Sequence, residues 1–397
     1  MTDRLDNLGI FLLAVASAFV TANAYYIHPI IGRVAESFEV SKGLVGVVPA
    51  LNQFALALGV LLLLPLGDRM SNRRLVAVCL SAQTLALLCM AVVETFSVFV
   101  VASTVLGFFT ITPYLLPAYA SKRVEPANLG FVTAVLTAGV IAGVQLSRLG
   151  SGVIAEYLGW RVVYFVATAL MTCSAVALPL LMKGEGPRDN QETLPSYGAL
   201  LRSLARLSSK YRSVVISGVI QGLNFGIFIA TWMGIGLHLT SERMNLGTDI
   251  VGYLAAFSGI AILFTPFAGR YADRLGPEKA RVFAAWGQLL GISTFMLAGS
   301  TWWYLLLPIW LIALVSPVID ISGRIIGLRQ PAEVRTRMMS LYITLMFVGG
   351  SIGSWSGTLA YDSAGWSGTV ILICCMSAVV CLLSVQQYQS ITSRMSH

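Results

Sequence analysis

Residues Gly139–Trp160 read GVIAGVQLSRLGSGVIAEYLGW, and residues Leu345–Trp366 read LMFVGGSIGSWSGTLAYDSAGW. Superposed at an offset of 206, Gly143, Ser147 and Ser151 fall on Gly349, Gly353 and Gly357, and Gly159-Trp160 falls on Gly365-Trp366. In the first stretch Gly139 extends the row to four small residues. Small residues at every fourth position make one stripe along a helix. Such a stripe lets a second helix approach backbone to backbone. The same tight seam is therefore expected twice, once in each of two related halves.

Outward from these seams the chain breaks into twelve apolar stretches, at 8–30, 44–66, 75–93, 97–119, 131–155, 161–182, 213–238, 249–268, 281–299, 302–327, 339–361 and 366–387. A membrane-spanning helix needs about 20 apolar residues. The composition agrees: 56% of the 397 residues are hydrophobic, 11% are charged, and the mean hydropathy is +0.79. A soluble domain could not bury that much apolar surface. The expected fold is an all-α membrane protein with twelve transmembrane helices in two pseudosymmetric six-helix bundles, 1–182 and 213–397. Residues 183–212 form the polar link between them. Within the link, Leu200, Leu201, Leu204 and Leu207 oppose Arg202, Arg206 and Lys210, which suits a helix along the cytoplasmic membrane surface. A flexible linker fits those residues equally.

The net charge of +8 raises the question of a nucleic-acid partner. Sorting the 26 Lys and Arg by segment answers it: 20 lie at the termini and in alternate loops, four (Arg33, Lys42, Arg161, Arg243) lie in the opposite loops, and Arg148 and Arg324 lie inside spans. This asymmetry is the positive-inside pattern and puts both termini in the cytoplasm. The basic charge records topology, so no nucleic-acid partner is expected. Leu8 to Val20 followed by Ala22-Asn23-Ala24 has the outline of a cleaved signal, but Arg4 is offset by Asp3 and Asp6. The segment reads as the first span.

Nothing in the sequence suggests an enzyme or a cofactor. The six cysteines lie in spans three, six and twelve without disulfide or metal-ligand spacing. His28 and His238 are far apart in sequence, and no phosphate-binding G-x-x-x-x-G-K-S/T loop is present.

The turn after span eight, Gly269-Arg270-Tyr271-Ala272-Asp273-Arg274-Leu275-Gly276, resembles the G-x-x-x-D-R-x-G signature of the major facilitator superfamily. The turn after span two is a partial copy that keeps Asp68, Arg69, Arg73 and Arg74, with Leu64 and Ser71 where the family usually has glycine. Tyr25-Tyr26 with Pro29, Pro65 to Asp68, and Gly159-Trp160-Arg161 are similar to a bacterial branch of efflux permeases. The resemblance implies a drug:proton antiporter-like protein of the bacterial inner membrane, working as a monomer by alternating access. Two departures stand out: span four carries no charge between Ser103 and Ala120, and Arg148 occupies the proline position of the exporters' span-five motif. The signature residues Asp68, Arg69, Arg73, Arg74, Gly269, Asp273, Arg274 and Gly276 are gate candidates. A carboxylate at a helix end can accept backbone donors, pair with arginines and latch neighbouring helices. The plainer reading is a solvated turn.

Asp320 is the one acidic residue well inside a span, with Arg148 and Arg324 as the cations. Each such charge costs a few kcal/mol to insert. A carboxylate that alternates between apolar surroundings and an arginine can take up and release a proton, so Asp320, Arg148 and Arg324 are the proton-coupling candidates. An i,i+4 pair of Asp320 with Arg324 could equally serve only to neutralise both. The family fold would place Asn23, Tyr26, His28, Asn52, Gln53, Tyr114, Gln145, Gln221, Asn224, Phe228, Trp232 and Tyr342 around the central path as substrate-binding candidates, although each also suits an interhelical contact. The expected function is proton-coupled export of a small, moderately polar or anionic organic compound, with protons and membrane lipid as the other partners. Proton symport of a sugar or organic acid and a non-transporting membrane sensor or partner protein are the alternatives.

Overall fold

The computed structural model describes residues 5–121, 123–125, 128–182, 198, 206–297 and 301–395. Among these the regular structure is helical. The first half contains α1 (Asn7–Ala22), α2 (Ile27–Ser37), α3 (Lys42–Val45), α4 (Val47–Leu63), α5 (Asn72–Val92), α6 (Phe96–Phe109), α7 (Thr112–Ser121), α8 (Leu129–Leu158) and α9 (Trp160–Leu181). The second contains α10 (Arg212–Leu239), α11 (Thr248–Gly259), α12 (Thr265–Leu275), α13 (Pro277–Ser293), α14 (Leu306–Leu328) and α15 (Ala332–Met395).

Ten stretches of the described residues are long and apolar enough to cross a membrane. The last, Val334–Ser390, carries two of the twelve expected spans, because α15 turns at Ala364 and Gly365. Expected span eight is divided into α11, a 3-10 turn at Ile260–Phe264, and α12. Most of the expected link at 183–212 lies outside the described residues; Arg206 to Lys210 are helical.

Proline explains where the spans break. Pro29, Pro49, Pro113, Pro266 and Pro308 each lie within the first three positions of α2, α4, α7, α12 and α14. There the missing N–H costs no helical hydrogen bond, whereas deeper in a helix it would. Glycine marks the sharper turns: Gly159 (φ 92°) separates α8 from α9, and Gly365 (φ 61°) bends α15 at the position 206 residues later.

The chain divides into two compact units. The first comprises Met1–Glu39, Leu51–Leu194 and Gly247–Gly252; the second comprises Val40–Ala50, Pro195–Leu246 and Tyr253–His397. In the first, α8 lies against α1 so closely that a Cβ at Gly139 would meet the Ala14 carbonyl, and one at Gly143 the Ala18 carbonyl. In the second, Gly349, Gly353 and Gly357 of α15 face Gly222, Gly226 and Ala230 of α10. Both small-residue stripes are packing seams, as their spacing required.

Each unit also holds a short piece of the other half of the sequence. In the first, the Thr248 hydroxyl donates to the Gly152 carbonyl (2.7 Å), the Thr248 N–H donates to Glu156 Oε2 (2.9 Å), and Gly252 abuts the carbonyls of Arg148 and Leu149. In the second, the Thr358 hydroxyl donates to the Gly43 carbonyl (3.3 Å), and Gly46 is pressed against Thr358. Gly46 and Gly252, like Gly152 and Thr358, are 206 residues apart. The repeat therefore governs these contacts as well.

Candidate functional site

The charges that the sequence places well inside spans lie in two places, one in each unit. In the first, Arg148 projects from α8 and is 1% exposed. Its Nε donates to the Val144 carbonyl (3.2 Å) and its Nη2 to Gln145 Oε1. The i,i+3 and i,i+4 spacing of those acceptors fixes the guanidinium over the preceding turn. In the same unit, Tyr25 lies at the break between α1 and α2, and His28 lies in the first turn of α2. Their rings meet edge to face at 5.3 Å. His28 is fully buried, and neither ring nitrogen has a hydrogen-bond partner.

In the second unit, Arg324 Nε lies 2.9 Å from Asp320 Oδ2, one turn away on α14. The Tyr342 hydroxyl, arriving from α15, donates to Asp320 Oδ1 (2.9 Å) and approaches the Asp320 carbonyl at 3.1 Å. Gly323 makes room for it: a Cβ there would stand 2.5 Å from the Tyr342 oxygen. Pro317 lies inside α14 one turn before Asp320, where it removes a helical donor. The pair is only partly sheltered, with Asp320 and Arg324 side chains 26% and 37% exposed. The i,i+4 geometry expected from the sequence is present, and the tyrosine adds a second contact.

The remaining candidates separate by their partners. Asn23 Nδ2 donates to Gln83 Oε1 (3.0 Å), and Asn52 Nδ2 to the Ser103 carbonyl (2.8 Å). Asn224 Nδ2 donates to Gln221 Oε1 (3.0 Å), while Gln288 Nε2 bridges Asn224 Oδ1 (2.6 Å) and the Ser316 hydroxyl (3.0 Å). These four are tied into helix contacts. Phe228 stacks on Phe225 with ring centroids 5.8 Å apart, Tyr26 and Trp232 are buried, and Tyr114 is half-buried. Gln53 is fully buried with neither amide atom bonded. Tyr342 belongs with Asp320.

At the signature turns, the Asp68 side chain lies outside the described residues. Arg69 is half-buried, and Arg73 and Arg74 are exposed. Gly276, at φ 82°, joins α12 to α13. Asp273 and Arg274 are exposed, and among the described residues neither makes an ion pair. The pair formed here is Arg329 with Glu278, at 3.6 Å.

Sequence reasoning missed several buried polar groups. Arg281, sorted with the cytoplasmic loop cations, is fully buried in α13; its Nη1 donates to the Ser217 hydroxyl (3.0 Å) and its Nη2 to Gln387 Oε1 (2.8 Å). Its position four residues after Pro277 concealed it, because a helix start and a loop end share the same composition. Gln83 and Gln288 were legible as polar residues inside apolar runs. Among the described residues no cluster of three or more His, Cys, Asp or Glu could hold a metal ion.

A family model described as Major Facilitator Superfamily matches residues 13–322 and 214–387. The transporter YgaY of Escherichia coli O157:H7 is 25% identical over 376 residues, covering 95% of this chain and 93% of its own. The multidrug resistance protein MdtG of Salmonella choleraesuis is 21% identical over 335 residues, covering 83% and 80%. Among solved structures, the nucleoside transporter NupG superposes with a TM-score of 0.75 at 14% identity, over 96% of this chain and 99% of that one. With two related halves, paired glycine seams and the G-x-x-x-D-R-x-G turn already in place, the match settles the family: the chain is a multi-pass membrane transporter belonging to the Major Facilitator Superfamily.

Proposed function

We propose that this transporter exports a small, moderately polar or anionic organic compound in exchange for protons, by alternating access in a bacterial inner membrane with both termini cytoplasmic. The observation that carries the reading is the Asp320 cluster. One carboxylate is shared between an arginine at 2.9 Å and a tyrosine hydroxyl at 2.9 Å, in a span where an ionised group is costly. A carboxylate with such partners can lose a proton to one arrangement and regain it in another. The multidrug resistance relatives support export, and the buried Arg148 supports a cargo that is not a lipophilic cation. Arg324 serves as the resting counter-ion of Asp320.

The test is transport in proteoliposomes under an imposed pH gradient, with wild type and Asp320→Asn side by side. Proton-driven movement of cargo should be lost in the variant while cargo exchange without a gradient persists. Wild-type rate and pH dependence in Asp320→Asn would remove the carrier role. Comparing accumulation in intact cells with that in inverted vesicles separates export from uptake by symport.

A further inference from the structure

We propose that Glu156 is a proton-operated latch at the outer end of α8: ionised, it holds the start of α11 on that helix, and protonated, it lets it go. The inference rests on the exchange mechanism proposed above, whose cytoplasmic termini put the end of α8 on the outer side. Residues Gly247–Gly252 come from the second half of the sequence and lie in the first unit. Rocking of one repeat against the other must break their bonds to α8.

Those bonds are of two kinds. The Thr248 hydroxyl donates to the Gly152 carbonyl (2.7 Å), and a Cβ on Gly152 would stand 2.5 Å from the Thr248 carbonyl oxygen. None of these groups titrates. The other kind runs through one carboxylate: Glu156 Oε2 accepts the Thr248 N–H (2.9 Å) and lies 3.3 Å from the Thr248 hydroxyl oxygen and 3.6 Å from Arg33 Nη2. A hydrogen bond to a charged acceptor is roughly twice as strong as one to a neutral acceptor. A proton on Glu156 removes that advantage and the ion pair together. The side chain is 26% exposed, so a proton can reach it from solution. Around it, α2 contributes Arg33, Glu36 (4.0 Å from Arg33) and the buried His28, and α11 contributes Asp249, which accepts the Ile250 N–H (2.9 Å). On α9, Arg161 donates to the Val93 carbonyl (2.7 Å), and α1 and α7 carry no charged residue.

The repeat supplies a control. Asp362 lies 206 positions after Glu156, and Lys42 lies 206 before Thr248. Asp362 is exposed, and among the described residues its side chain makes no ion pair or hydrogen bond.

Hydrogen exchange of peptides covering Gly247–Gly252 tests this on the full-length protein in nanodiscs, with no cargo and no pH gradient. Rates are corrected for the intrinsic pH dependence of amide exchange. Between about pH 7.5 and about pH 4.5, a range that reaches ordinary carboxyl titration, wild-type protection should fall about fivefold, the difference between a charged and a neutral acceptor. Glu156→Gln should exchange at that faster rate already at about pH 7.5 and change little on acidification. Asp362→Asn should behave as wild type. Arg33→Gln, which removes the ion pair alone, should exchange about twofold faster than wild type, and peptides from α5 report whether each variant is folded. The proposal is overturned by wild-type protection that acid leaves unchanged, by folded Glu156→Gln that exchanges like wild type at both pH values, or by Arg33→Gln that does so. Because exchange is read without transport, failure here leaves proton-coupled export standing, and loss of proton-driven transport in Asp320→Asn leaves the latch standing.

Discussion

The two halves of the chain agree in their packing and disagree in their charges. At an offset of 206, Gly143 matches Gly349, Gly46 matches Gly252, and Gly159 matches Gly365, and each pair performs the same task in its own unit. Arg148, by contrast, matches Ser354, Asp320 matches Tyr114, and Tyr342 matches Leu136. One cluster holds a wholly buried arginine that donates to Val144 and Gln145; the other is a partly exposed carboxylate bonded to an arginine and a tyrosine. A duplicated helix seam tolerates little change, because overlap with a backbone carbonyl cannot be relieved by rotating a side chain. Charged side chains away from the seam are free to diverge.

The largest effect should come from the shared feature. Gly353→Leu sets a side chain against the Gly226 backbone and should cost about 3 kcal/mol or more by overpacking; Gly143→Leu should do the same against Ala18. Size-exclusion profiles and melting curves of both would show it, and a well-folded Gly353→Leu protein would break the claim that the seams are equivalent. Next is Asp320→Asn, in which proton-driven transport should drop by at least about tenfold, equivalent to about 1.4 kcal/mol of barrier. Folding should be little changed, because Arg324 is already 37% exposed.

Asn224→Leu should destabilise by about 1–3 kcal/mol, since it leaves Gln288 and Gln221 buried and short of partners. Gln53→Leu, at a side chain with no partner to lose, should be neutral or stabilising by melting temperature. That contrast separates amides that hold helices together from amides held in reserve, and equal losses would erase it. Among the transport effects the smallest is expected for Tyr342→Phe, which deletes one hydrogen bond to Asp320. Proton-driven rates should shift about two- to threefold, a fraction of the roughly 1.5–3 kcal/mol typical of bonds to charged groups, because Arg324 remains in place. A stopped-flow assay with a pH-sensitive dye would resolve it.

Much of this was readable from the residues. Span positions followed from length and apolarity, and the i,i+4 pairing of Asp320 with Arg324 followed from helix geometry. The contact of Arg148 with Gln145 was legible in the same way, as both sit on one face of one helix. What could not be read was which amides had found partners. Asn23 and Gln53 look alike in a linear chain, but Asn23 meets Gln83 from another helix, and the Gln53 amide finds no hydrogen-bond partner. Arg281 looked like a loop residue and is buried among Ser217 and Gln387, contacts separated by 64 and 106 positions.

The sequence by itself determined the apolar character of the spans, the family and the paired seams, because hydrophobic length and small-residue period act locally along a helix. Only the tertiary structure decided that Tyr342 bonds Asp320, that Asn23 meets Gln83, and that short segments of each half pack into the other unit. Those pairings depend on which helices become neighbours. That choice is made by packing between segments distant along the chain, and no local period encodes it.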